Sequence, residues 1–190
     1  SVSSLSCDLY HKVFVKKKDS DVGIIDIDEK SLGKFGQFPW NRTVFAKILD
    51  QLNTSDPKAI GFDIFFTEKD KQSPEEIIKS YGLIPSDVAE LQNLKSPDDL
   101  FAEKLKESKS IIAVLGSNVP SHTNYDRKAK ARFLSKGGDP FEFTYSYPFS
   151  IGSLEVLENN VKGLGSISFL DQLDGIIRSL PLIVQLNKKL

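Results

Sequence analysis

The sequence predicts a single α/β domain, with a central mixed, mainly parallel sheet flanked by helices and a C-terminal antiparallel hairpin. Three observations predict it. Short apolar runs rich in branched residues recur at 22–27, 59–65 and 111–115, as the buried strands of a parallel sheet do. Segments of helical period stand between them. A strand, a helix and a second strand in that order close almost always as a right-handed parallel crossover. At 190 residues, 39% hydrophobic and 27% charged, the chain can bury a core without disulfide staples. One domain spanning 1–190 accounts for the pattern.

Each element has a local reason. "VGIIDID", 22–28, is an apolar run ending in carboxylates and reads as a strand emerging at the sheet's edge. "NRTVFAKILDQLN" places Val44, Phe45, Ile48, Leu49 and Leu52 on one helical face, with Asn41 as N-cap. "KAIGFDIFF" reads as a second buried strand. Two helix starts, Ser73-Pro74-Glu75-Glu76 and Pro85-Ser86-Asp87, mark a helical insertion at about 68–95. Ser96-Pro97-Asp98-Asp99 supplies a cap, a proline at the first helical position and acids in the first turn. Leu100, Phe101 and Leu105 give that helix its apolar face, and "SIIAVLG" follows as a third strand.

Residues 119–136 are polar and basic, with Arg127, Lys128, Lys130 and Arg132 close together, and read as a solvated loop. "FEFTYSYPF" alternates like an edge strand, and Leu154, Val156 and Leu157 suit a short helix. "GLGSISFLDQLDGIIRSLPLIVQL" reads as two strands joined by a turn at 171–175, the antiparallel hairpin.

Composition excludes some function classes. Lys plus Arg number 25 against 26 Asp plus Glu, for a net charge of -1, so no basic field draws nucleic acid. No apolar run reaches the ~20 residues of a membrane span. The chain has no methionine and is expected to be a fragment of a larger protein. Cys7 is the single cysteine, so no disulfide forms within the chain. His11 and His122 stand in polar stretches, and no cofactor or metal site is expected.

Chemistry would gather where strands end, because open α/β sheets bind ligands at the carboxyl ends of parallel strands. Asp26, Asp28 and Asp63 are expected there. Arg42 falls in the first turn of the following helix, where the macrodipole disfavours a cation. It therefore needs a carboxylate, with Asp26 and Asp63 the candidates, and reads as a clamp in an ion-pair cluster. Trp40, in "FGQFPWNR", reads as an aromatic plug over the end of the sheet. "IIDIDEKS" also resembles the first motif of the haloacid-dehalogenase phosphatases, although Ser31 stands three residues after Asp28 rather than two. A metal-dependent phosphatase-like hydrolase using Asp26 and Asp28 is thus the alternative reading, but no nucleophile, acidic pair or phosphate loop elsewhere supports catalysis.

Several motifs in order carry a family resemblance. Asp26 and Asp28 close the first run, followed by Ser31 and Leu32, then Pro39, Trp40 and Arg42. Asp63 and Phe66 follow, and then Asp174, Gly175, Arg178, Pro181 and Leu182, with Asp171 three positions before Asp174. From Val22 to Val184 the chain resembles the type-two CHASE domain, an extracellular sensor associated with cyclases and histidine kinases. The resemblance implies a non-enzymatic sensory domain on the periplasmic or extracellular face of a membrane protein, anchored by flanking helices. It implies an output such as an adenylate or guanylate cyclase, a histidine kinase or a cyclic-dinucleotide enzyme, and an unidentified small-molecule or protein stimulus. Because such outputs work as two domains brought together, and closed two-fold pairs are the commonest oligomer, a homodimer weakly held in this chain is expected. Asp26, Asp28, Trp40, Arg42, Asp63, Asp174 and Arg178 become the candidates for ligand binding or signalling.

Overall fold

A computed structural model describes residues 21–127, 130, 134, 136–168 and 180–187. The chain divides between Phe38 and Pro39 into two compact units.

In the first unit, Asp28 ends an extended run and starts helix α1 (Glu29–Phe35). Its carboxylate accepts from the Ser31 N–H at 2.9 Å and the Ser31 hydroxyl at 2.7 Å. Gly36, at φ 85, terminates the helix with its N–H on the Leu32 carbonyl, a backbone conformation that glycine adopts without strain. The strand expected at 22–27 does not form: residues 22–28 join no ladder, and Ile24 is 90% exposed. A branched apolar run favours a strand only where an edge receives its hydrogen bonds and a neighbouring face buries its side chains.

The α/β architecture belongs to the second unit. Helix α2 (Arg42–Asn53) starts at Asn41, whose side chain accepts the Thr43 N–H, and it buries Phe45, Ala46 and Leu49. Strand β1 (Ile60–Phe62) follows; it is shorter than the expected 59–65, and the chain runs on as irregular backbone to Asp70. The segment read as a helical insertion carries α3 (Pro74–Tyr81), a 3-10 turn (Pro85–Val88) and α4 (Ala89–Gln92). Helix α5 (Pro97–Glu107) is capped by Ser96 as the sequence predicts and buries Phe101 and Leu105. It leads into strand β2 (Ser110–Ser117).

Pro148 divides the aromatic run into β3 (Tyr145–Tyr147) and β4 (Phe149–Ile151). Helix α6 (Glu155–Asn160), strand β5 (Gly163–Ser166) and strand β6 (Val184–Leu186) complete the unit. The sheet is mixed. Strand β2 pairs in parallel with β1 and with β5, and antiparallel with β4. Of the segments expected to form the C-terminal hairpin, β5 lies beside β2 while β6 pairs in parallel with β3 in a separate two-stranded sheet. The stretch around the expected turn at 171–175 lies outside the described residues.

Helices α2 and α5 pack on one another, and α5 packs on α6. The ladder register sets Phe62 beside Ile112 and Leu164 on one face of the sheet. Phe62 meets Phe101 there edge-on, with ring centres 5.8 Å apart. Phe66, Phe45 and Phe101 form mutual contacts at 5.0, 5.2 and 5.9 Å, within the range of favourable aromatic pairs. This aromatic cluster is the core between helices and sheet, and it floors the site described next.

Candidate functional site

Arg42 opens α2 with a buried side chain. A cation in a first turn faces the positive end of the helix and needs anions around it. The structure supplies two. Asp70 accepts the Arg42 backbone N–H on Oδ2 at 2.6 Å. Asp98, in the first turn of α5, sets Oδ1 3.3 Å from the Arg42 Nε, an ion pair out of line for a hydrogen bond. The two acids are themselves joined, since the Asp70 N–H donates to Asp98 Oδ2 at 2.8 Å. A terminal nitrogen of Arg42 donates to the Glu68 carbonyl at 2.9 Å, and the guanidinium lies 4.6 Å from the Phe66 ring centre.

All three charged residues are buried, at 7, 5 and 4% exposure for Arg42, Asp70 and Asp98. Loss of hydration lowers the Arg42 pKa, opposed by Asp98 and Asp70. The same loss raises the Asp98 pKa above its ordinary value, opposed by the Asp70 N–H and by Arg42. The node ties the start of α2, the 66–72 loop and the start of α5 into one arrangement.

Outward of the node, Asn41 donates to Asp70 Oδ1 at 3.1 Å and to the Gln72 side chain at 2.8 Å, and the Gln72 N–H also reaches Asp70 Oδ1 at 2.8 Å. An open cleft of about 200 Å³ lies between residues 39–42 and 68–72. Trp40 lines it but is only 6% exposed, and its ring centre stands 6.2 Å from that of Phe45. Trp40 is thus buried against the helix α2 aromatic.

The sequence candidates distribute unevenly. Trp40 and Arg42 come together at this site. The partner of Arg42 is Asp98, with Asp70, rather than the expected Asp26 or Asp63; Asp63 is exposed, and Asp26 is an exposed residue of the first unit. Asp28 is committed to capping α1, and its bonds from Ser31 hold its pKa below the ordinary value. Asp174, Arg178, Cys7 and His11 lie outside the described residues. Among the described residues, no group of three or more His, Cys, Asp or Glu is placed to hold a metal ion.

A second buried centre escaped the sequence reading. Arg127, expected in a solvated loop, is 8% exposed, and Glu158 of α6 is 2% exposed. Their pairing is bidentate, with Nε to Oε2 at 2.8 Å and a terminal nitrogen to Oε1 at 3.2 Å. Arg127 also donates to the Thr123 carbonyl at 2.7 Å and to the Ser150 hydroxyl, and it lies 4.3 Å from the Tyr125 ring centre. Burial, with Glu158 nearby, pushes the Tyr125 hydroxyl pKa up. No local pattern distinguishes Arg127 from its basic neighbours; Glu158, on the short helix that follows, was the available signal.

The family model of the CHASE2 domain matches residues 3–189, nearly the whole chain. The chain belongs to the CHASE2 domain family. Comparison with curated proteins and with solved structures finds no match. CHASE2 domains are extracytoplasmic sensory domains of signal-transduction proteins and not catalytic ones. In this CHASE2 domain, Pro39, Trp40 and Arg42, three of the residues that carried the resemblance, line the cleft.

Proposed function

We propose that this CHASE2 domain is the signal-input module of a membrane-bound transducer. Its output domain is a nucleotide cyclase, a protein kinase or a cyclic-dinucleotide enzyme, and flanking membrane helices hold it on the periplasmic or extracellular face. The match over 3–189 carries the reading. The geometry supports it by placing an open cleft directly on a charged node that joins two helix starts, so an occupant touching 39–42 and 68–72 bears on both helices. The stimulus site is assigned to this cleft, with Arg42 as its structural floor rather than its ligand contact.

The test has two stages. A thermal-shift screen of small molecules detects any that bind the native domain, since such a compound raises the melting temperature. Hits are then applied to the full-length protein in membranes while output activity is followed. Compounds that stabilise the domain and change output support the reading. It fails if exchanging the domain for an unrelated fold leaves output and its regulation unchanged. Hydrolysis of phosphate esters with Mg²⁺, abolished by Asp26→Asn, would instead make the domain an enzyme.

A further inference from the structure

The Arg42 and Arg127 centres share one bridge. Phe66, under the Arg42 guanidinium, donates its N–H to the Ser153 hydroxyl at 3.1 Å and accepts the Leu154 N–H on its carbonyl at 2.8 Å. The Ser153 carbonyl accepts the Tyr125 hydroxyl at 3.3 Å, and the Tyr125 ring lies against Arg127. Leu154 in turn starts α6, whose Glu158 holds Arg127. Phe66 is 1% exposed and Ser153 is fully buried, so neither can move without disturbing both sides.

Residues 123–127 are not held by a sheet ladder. Side-chain bonds seat them: the Gly152 N–H on the Thr123 hydroxyl at 3.1 Å, the Ser150 N–H on Asn124 Oδ1 at 3.1 Å, and the Arg127–Glu158 pair. Such a set forms or releases as a unit, because each bond depends on the same short segment lying in place. We infer that 123–127 is a releasable strap whose seating is coupled to the Arg42 node through the Phe66–Ser153 bridge, so that a change at the cleft loosens the strap. The coupling is a property of the fold and holds whichever output domain follows.

Hydrogen–deuterium exchange resolved to single amides tests it, using this chain and the conservative variant Arg42→Lys. The Gly152 and Ser150 amides report strap seating, and the Ile112 amide in β2 reports global opening. Expected is acceleration at Gly152 and Ser150 of about tenfold beyond any change at Ile112, the mark of local rather than global opening. Adding Ser153→Ala, which removes the bridging hydroxyl but keeps the Leu154–Phe66 bond, should cut that excess severalfold in the double variant. The inference is overturned if Arg42→Lys accelerates all amides equally, if Gly152 and Ser150 keep their protection, or if the excess is undiminished by Ser153→Ala.

Discussion

Arg42 sits where a helix disfavours a cation, and its environment compensates with two carboxylates, a carbonyl and an aromatic face. Removing the guanidinium leaves Asp70 and Asp98 buried without a counter-charge. Loss of one partner of a buried pair costs about 3–5 kcal/mol. Arg42→Ala should therefore depress the denaturant midpoint or melting temperature strongly, and Arg42→Lys should recover only part, since an ammonium cannot serve Glu68 and Asp98 together. A melting curve within a degree or so of wild type would mean the pair does not clamp the fold.

Asp98 gives a prediction in pH. Its folded pKa is raised above the unfolded value by burial, so the unfolded chain releases this proton first. Its contribution to stability is present below the ordinary carboxylate pKa and is lost as pH rises through the raised folded value. Asp98→Asn cannot titrate. Its stability relative to wild type should improve as pH is raised through that window, and urea titrations at a series of pH values would read the change. The need of Arg42 for an acid was legible in the sequence, because the macrodipole is a local property. The identity of that acid was not. Asp98 already had a sufficient local explanation as a first-turn acid of α5, and Asp70 looked like one more charge in "TEKDKQS".

Helix starts were the most legible elements. Asn41 and Ser96 cap where the sequence places them, and Pro74, Pro85 and Pro97 open helical turns, because caps and prolines act within a few residues of themselves. Strand pairing was less legible, since the edge a strand finds lies far away in the chain. Thus β2 formed in full, β1 shortened to three residues, and β5 and β6 went to different sheets. One loop position tests how tightly these elements meet. Gly152 follows β4 with the Glu158 carboxylate and the Arg127 guanidinium where a Cβ would project. Gly152→Ala should force the pair apart at a cost of about 1–3 kcal/mol, the range for overpacking a filled interior. An unchanged unfolding free energy would show that the pair shifts freely to make room.

The core links helices to sheet through Phe45, Phe62, Phe66 and Phe101, and Phe101 is fully buried. Phe101→Ala should cost about 3–5 kcal/mol in equilibrium unfolding, and a loss under ~1 kcal/mol would mean that α5 does not depend on this cluster. The α/β class was legible because hydrophobic period and helix starts survive without knowledge of partners; how much of the site was legible depended on whether a residue's role was local, as for Trp40, or distant, as for Arg127.

An input domain that controls a cyclase or kinase across a membrane acts by bringing two output domains together or apart, and closed two-fold pairs are the commonest oligomer. We therefore expect the full-length protein to be a homodimer. Membrane helices raise the effective concentration of attached domains, so a contact too weak to hold in dilute solution is still formed in the bilayer. The isolated chain should accordingly sediment with a concentration-dependent mass, while the full-length protein cross-links as a dimer in membranes. If the full-length protein remains monomeric in membranes at native expression levels, with the output enzyme still regulated, transmission proceeds within one chain and the dimer expectation fails.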